Sequence, residues 1–324
     1  MKLRTRGAGA ERHRVLFVTD LHSSEITFRK ALNAVGVYGA TTLIVGGDLT
    51  GKQLVPIVQG PDGWRTKLLN EECEGHDDDD LAPLLARIRD LGQYPVILSE
   101  TEYEAYSANP DAVETRFAEE CHAQVRDWME RLADRFAEAN IPVYVTGGND
   151  DYFSIEPILS DAPWVINAEG KALEVLPGLA MISSGYGNPT PWHCPRDIPE
   201  DELRERIEAM AERLTDPPHA IFNLHVPPVA SGLDTCARLD VSVSPPRPIS
   251  GEETDAGSTA VRAAIEQYQP LLSLHGHIHE CRGVRPIGGT TCVNPGSEYA
   301  EGVLHSVVID FDGKELHNVQ LAAA

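Results

Sequence analysis

Short runs of Val, Ile and Leu, apolar at nearly every position rather than at alternate ones, recur along the chain, and each stops at a polar residue. Unbroken apolar runs of this length mark strands covered on both faces, as in parallel sheets flanked by helices. Val15-Leu16-Phe17-Val18 leads into Asp20 and His22, and Thr42-Leu43-Ile44-Val45 passes Gly46-Gly47 to reach Asp48. Pro142-Val143-Tyr144-Val145 runs through Gly147-Gly148 to Asn149, Ala220-Ile221-Phe222-Asn223-Leu224 ends at His225, and Leu271-Leu272-Ser273-Leu274 reaches Gly276, His277 and His279. Ligands of open α/β sheets bind beyond the carboxyl ends of the strands, so one sheet edge is predicted to collect all these polar residues.

Between the strands the apolar period lengthens to that of helices. The spacing predicts helices over 26–35, 201–214 and 259–269. The longest is opened by Asn109-Pro110, with Val113, Phe117, Cys121, Val125, Trp128, Met129, Leu132 and Phe136 on one face. Strands alternating with helices predict the α/β class. Between Asp48 and Asn149 lies more chain than one crossover helix needs, so an insertion of a hairpin plus a helix is expected over 52–106, after the second core strand and covering one side of the site. Leu54–Val58 and Trp64–Leu69 flank the turn-forming Gly60-Pro61-Asp62-Gly63 as the hairpin. A linker with Asp77 to Asp80 precedes a helical pattern over Leu81–Ile88; the aspartates lack EF-hand spacing and read as helix-start charge. The 324 residues, 1–324, are read as a single domain carrying this insertion.

Composition narrows the function classes. With 42% apolar and 24% charged residues the chain is an ordinary globular one. Its formal net charge of −23, with no basic patch, argues against a duplex nucleic-acid binder working by counterion release. Bound dications can invert the local potential, so a small phosphorylated substrate stays compatible. Six cysteines without a CxxC pair signal neither a zinc ribbon nor a disulfide framework, and reduced thiols suggest a cytoplasmic protein. Basic residues near the N-terminus are followed by Val15–Val18, an apolar run too short for a signal-peptide core or a membrane span. A homo-oligomer is left open.

Singly, Asp20 or Asp48 reads as a loop cap and His225 as a hydrogen-bonded core histidine. Together they offer carboxylate, imidazole and amide oxygen, the ligand types of manganese, iron and zinc. Asp20-x-His22, Gly47-Asp48, Gly148-Asn149-Asp150-Asp151, His225 and Gly276-His277-x-His279 resemble, in content and order, the five blocks of the calcineurin-like metallophosphoesterase superfamily. Asn188-Pro189-Thr190-Pro191, His225-Val226-Pro227-Pro228 and Val293-Asn294-Pro295-Gly296-Ser297 look like a prokaryotic branch of predicted phosphoesterases, distantly similar to cyclic-nucleotide phosphodiesterases.

The resemblance implies a four-layer sandwich of two mixed β-sheets flanked by helices, with two divalent metal ions at the strand ends. Manganese is expected first, and iron, zinc or nickel are alternatives. Asp20, His22, Asp48 and His279 would hold one ion and Asp48, Asn149, His225 and His277 the other, with Asp48 bridging. The implied activity is hydrolysis of phosphate esters, diesters above all, by a metal-bound hydroxide, since two such cations lower the pKa of bound water from about 15.7 towards about 7. Asp48, Asn149 and Asp150 are the candidate catalytic residues. Asp150, however, stands where the superfamily has its catalytic histidine. A carboxyl group beside cations is a poor proton donor, so esters with acidic leaving groups are expected to be cleaved much better than alkyl ones. The competing readings are a metal-binding scaffold or protein-interaction module with weak or no catalysis, and a phosphomonoesterase or nuclease. His275 reads as a packed histidine beside the site, His193 as a loop residue able to overhang it, and Arg196 and Arg282 as surface arginines.

Overall fold

Side chains of the strand Arg12–Val18 divide between two cores. Val15 and Phe17 point to one face and Leu16 and Val18 to the other, all fully buried, which is why the run is apolar throughout. The computed structural model describes residues 12–324; of the basic residues near the N-terminus, Lys2, Arg4 and Arg6 lie outside them. In the first six-stranded sheet the order is Glu315–Ala323, His305–Asp312, Arg12–Val18, Thr42–Val45, Val143–Val145, Val165–Asn167, the last four strands mutually parallel and the first two antiparallel. In the second the order is Gly283–Ile287, Thr290–Asn294, Leu272–Leu274, Ala220–Leu224, Leu179–Ser184, Lys171–Leu176, with parallel strands inside and an antiparallel one at each edge.

The two sheets pack face to face through Phe17, Ile44, Ile309 and Phe311 on one side and Met181, Ile221, Leu272 and Val293 on the other. Helices Glu25–Tyr38 and Pro110–Phe136 cover the outer face of the first sheet, and Glu200–Ala211 and Thr259–Tyr268 that of the second. This is the expected four-layer sandwich of two mixed sheets flanked by helices. The long helix starts where the sequence sets it: the Asn109 side chain accepts from Ala112 N–H at 3.3 Å and Pro110 occupies the first turn. Trp128 of this helix stacks on Phe28 with ring centroids 4.1 Å apart. Val113, expected on its apolar face, is exposed, because the first turns of the helix outrun the core.

Leu54–Gly60, Gly63–Leu68, Glu71–Gly75 and Tyr94–Ser99 form a separate four-stranded sheet. It packs on the helix Asp78–Asp90 around Ile57, Trp64, Leu81 and Ile88, and is followed by a helix over Glu100–Ser107. The segment thus holds more than the expected hairpin and helix, and the strand Glu71–Gly75 stands where a linker is expected. Asp77 caps the helix by accepting from Asp80 N–H at 3.0 Å, so the aspartate run is helix-start charge. A second small sheet, Thr235–Asp240 with Arg247–Asp255, projects as an arm. No helix among the described residues is long and apolar enough to cross a membrane.

Candidate metal centre

Every strand exit named by its terminal polar residue opens on the same end of the sandwich. Arg12–Val18, Thr42–Val45 and Val143–Val145 are parallel neighbours in one sheet, and Ala220–Leu224 and Leu272–Leu274 are parallel neighbours in the other. Turning the chain sharply at these ends puts Asp20, His22, Asp48 and His277 in the left-handed region, with φ of 53°, 41°, 52° and 66°. Such backbone costs on the order of 1 kcal/mol per non-glycine residue and persists where neighbours hold it. Here Asp20 N–H donates to Gly47 O at 3.0 Å and His22 N–H to Asp48 O at 2.9 Å. Glycine is required where the backbone passes the carboxylates: a Cβ on Gly148 would lie 2.0 Å from Asp48 Oδ1, and one on Gly276 would lie 2.2 Å from Asp20 Oδ2.

Ligand atoms of Asp20, His22, Asp48 and His279 lie within 4.8 Å of one another. Asp48 Oδ2 is 3.4 Å from His22 Nε2 and also 3.4 Å from His225 Nε2. His279 Nε2 is 3.5 Å from Asp20 Oδ1 and 3.1 Å from His22 Nε2. Asn149 Oδ1 meets His277 Nδ1 at 2.9 Å, turned there because the Asn149 amide donates to Asp197 Oδ1 at 3.1 Å. His277 N–H donates to Asp20 Oδ1 at 2.9 Å, so the seven residues read from the sequence as metal ligands lie at one place, four of them within the tighter group.

Outer contacts aim the rings. His22 Nδ1–H points to Thr50 O at 3.2 Å and His225 Nδ1–H to Gly46 O at 3.0 Å, so both rings turn Nε2 toward Asp48, a lone pair whenever the ring is neutral. His225 Nε2 is buried without a hydrogen-bond partner. Burial pushes the Asp48 carboxyl up to about 6 despite His225. Burial also works against charge on His225, but Asp48 and then Asp20 lift its pKa to about 10. Burial, with the charge on His225, holds His277 down at about 3. Asp20 is buried too, yet bonding to His279 and the neighbouring imidazoles keep it well below the usual carboxylate range. The cluster is thus an acceptor-lined, carboxylate-rich place that attracts positive charge, and its orphaned imidazole nitrogen and shared carboxylate oxygen fit divalent cations.

Asp150, beside this cluster, donates its backbone N–H to Asp48 Oδ1 at 3.1 Å. Its side chain turns away to Lys52 Nζ at 2.7 Å and accepts from Cys194 Sγ at 2.8 Å. Burial would raise its pKa, but the Lys52 ammonium outweighs that and holds it well below the usual carboxylate range. Asp151 points the other way. Fully buried, it accepts from Leu49, Thr50 and Gly148 N–H groups at 3.0, 2.9 and 2.8 Å, tying the Asp48 and Asn149 loops together. Arg196 is no surface arginine: it is fully buried and braces the Asn149 loop through Asp151 O at 2.9 Å and Glu156 at 2.6 Å. His275 is a packed histidine bonded to Leu224 O at 2.8 Å.

The cluster opens into a cleft of about 1120 Å³ whose walls include Lys52, Phe117, Trp192, His193 and Arg238. His193 lines this same cleft. Residues 53–106, the expected insertion past Lys52, line none of this cleft; Tyr94 backs the Asp48 loop from behind, its hydroxyl accepting from Gly51 N–H at 2.8 Å. Lys52 and Asp197 escaped the sequence reading, for their partners are distant in the chain; only their place next to the Gly47-Asp48 block and in the Pro-rich loop hinted at them.

No protein-family model matches the chain. An uncharacterised protein of Methanocaldococcus jannaschii is 26% identical over 176 residues, which is 53% of this chain and 66% of that protein, a little under two thirds of its length. Among solved structures, one crystal structure superposes with a TM-score of 0.55 at 16% identity, covering 96% of this chain and 99% of the other. A protein of Thermus thermophilus does so with a TM-score of 0.52 at 13% identity, again covering 96% and 99%. These likenesses show the fold.

Proposed function

We propose that this chain is a calcineurin-like, metal-dependent phosphoesterase whose preferred substrates are phosphodiesters. The carrying observation is Asp48 Oδ2, 3.4 Å from each of two imidazole nitrogens, His22 Nε2 and His225 Nε2. A carboxylate so placed suits two neighbouring cations, one with Asp20, His22 and His279 and one with Asn149, His225 and His277. When bound, such a pair supplies an activated water and a clamp on the phosphoryl oxygens. Manganese is the first metal to test, given oxygen and imidazole ligands without thiolate.

The chain's own residues do the rest. Gly46 O and Thr50 O fix the histidine tautomers, and Asp151 holds the two aspartate-bearing loops at one spacing. The preference for diesters is supported by the cleft, whose 1120 Å³ leaves room for groups on both sides of a phosphate at the cluster. The test is turnover of a generic aryl phosphodiester with manganese added or chelated, beside Asp48→Ala and with metal content measured on the same protein. Activity that depends on both the metal and Asp48 is expected. Two manganese ions bound with no turnover on any ester would favour the scaffold reading, and activity indifferent to both changes would end the metal mechanism.

A further inference from the structure

Lys52 stands four residues past Asp48, where the chain leaves the site for the insertion. Its ammonium lies 2.7 Å from Asp150 Oδ2 while half of its side chain is exposed, in a cleft wall shared with Asp48, His277 and His279. A half-exposed lysine ordinarily keeps its freedom, because surface pairs return little for holding it still. Here the ammonium has a carboxylate partner and the backbone just before it is pinned. Gly51 N–H donates to the Tyr94 hydroxyl at 2.8 Å, and Thr50 donates twice to buried Asp151. Nothing larger than glycine fits before Lys52: a Cβ on Gly51 would lie 2.3 Å from Gly92 O and 3.1 Å from the Tyr94 ring. Asp150 is fixed in turn by its N–H bond to Asp48 Oδ1 and by the Cys194 thiol.

The donors nearest Asp48 are spoken for by the cluster, so cations there would serve the phosphoryl oxygens closest to that carboxylate. An ester oxygen departing away from them would meet the cleft wall one carboxylate further out, at Asp150 and Lys52. Asp150 is an acceptor, engaged by two donors, and cannot donate to it; the ammonium it holds can. Resting on the phosphoesterase reading above, we infer that Lys52 is a catalytic residue whose ammonium contacts the departing oxygen, with Asp150 as its positioning residue and the insertion, through Gly92 and Tyr94, as the support of its backbone. As water oxygen bonds to phosphorus, the bond to the leaving oxygen breaks with both electrons on that oxygen. The proton lost by water goes to solvent, and Lys52 remains an ammonium throughout, stabilising the developing charge.

The experiment uses the manganese-loaded full chain, aryl phosphodiesters with leaving groups graded from 4-nitrophenol to phenol, and the variants Lys52→Met, Lys52→Arg and Tyr94→Phe. Removing one donor to a developing oxyanion costs about 100-fold or more. Lys52→Met is therefore expected to lose about 100-fold in kcat/KM on the phenyl ester and about 10-fold on the 4-nitrophenyl ester. Its manganese content should be unchanged and its affinity for inorganic phosphate about 10-fold weaker. Lys52→Arg should recover part of the loss, and Tyr94→Phe should show a smaller loss that vanishes when Lys52 is already Met. Equal losses on all esters, a loss of manganese in both Lys52 variants, or unchanged phosphate affinity would overturn the inference. A wild-type chain inactive on every ester would sink the phosphoesterase reading instead, and phosphate affinity would still decide whether Lys52 reaches the anion.

Discussion

Thr50 and Asp151 share two hydrogen bonds, from Thr50 N–H at 2.9 Å and from its hydroxyl at 2.6 Å, both to Asp151 Oδ1. With Leu49 and Gly148 N–H on the other oxygen, one buried carboxylate sets the distance between two loops that carry candidate ligands. Asp151→Asn puts an amide NH₂ group against backbone N–H donors, which an acceptor-only group avoids. The variant is expected to lose about 3 kcal/mol of stability, as for buried groups left unsatisfied. Urea unfolding against the wild type checks this; a change below about 0.5 kcal/mol would mean the loops are spaced by other contacts.

Manganese should raise the melting temperature. A ligand that binds only the folded chain stabilises it by about 2.7 kcal/mol at 100 times its Kd, and Asp20, Asp48 and the orphaned His225 Nε2 exist as a cluster only in the fold. Thermal scans with manganese and with chelator are expected to differ by several degrees for wild type and by almost nothing for Asp48→Asn. An equal shift in that variant would place the responsible metal elsewhere.

Gly276→Ala tests the close approach of backbone to carboxylate. The added methyl would lie 2.2 Å from Asp20 Oδ2 and 2.5 Å from Thr19 Oγ1, so Asp20 must move. Metal affinity is expected to fall at least about 10-fold, with a stability loss of about 1–3 kcal/mol typical of overpacking. Titration calorimetry with manganese on a variant shown to be folded reads it, and unaltered affinity would deny Asp20 a place among the ligands.

Leaving-group acidity should govern the rate. Asp150 is kept ionised by Lys52 and so has no proton to give. Wild-type kcat on an aryl phosphodiester is expected to exceed that on an alkyl one by at least about 100-fold, the range that general acid catalysis otherwise supplies. Equal rates would require a proton donor elsewhere in the cleft.

His275 gives the fold an acid sensitivity. Burial pushes its pKa down to about 4, against its bonds to Leu224 O and Val226 O. A histidine depressed below its unfolded value of about 6.5 contributes stability that is present above pH 6.5 and is lost as pH falls towards 4, on the order of 3 kcal/mol for such a shift. Stability of His275→Asn, though lower at neutral pH, should fall less steeply between pH 6.5 and 4 in urea titrations at several pH values. A slope equal to the wild type's would exonerate His275.

Where one element is buried on both faces, its residues announce it. The runs ending at Asp48 and His225 are strands with the bounds read from the sequence, Thr42–Val45 and Ala220–Leu224, because no water-facing side chain interrupts them. The outer strands Lys171–Leu176 and Glu315–Ala323 mix exposed and buried positions and carry no such signal. Likewise the clustered candidate ligands end recognisable runs. Lys52 has a partner 98 positions away, Asp150, and is anchored through Gly51 to Tyr94. Asp197 meets Asn149 only because two loops cross. Arg196 has the composition of a surface residue and the surroundings of a core one, which its neighbours in sequence do not reveal.

The strands that deliver the candidate ligands are split between the sheets, with Asp20, His22, Asp48 and Asn149 leaving the first and His225, His277 and His279 leaving the second. Metal binding at this rim would therefore double as a gauge of how the halves of the sandwich are seated. A slip of one sheet across the other by a fraction of a side chain would separate Asp48 from His225 long before either sheet came apart, and function would fade while secondary structure stayed whole.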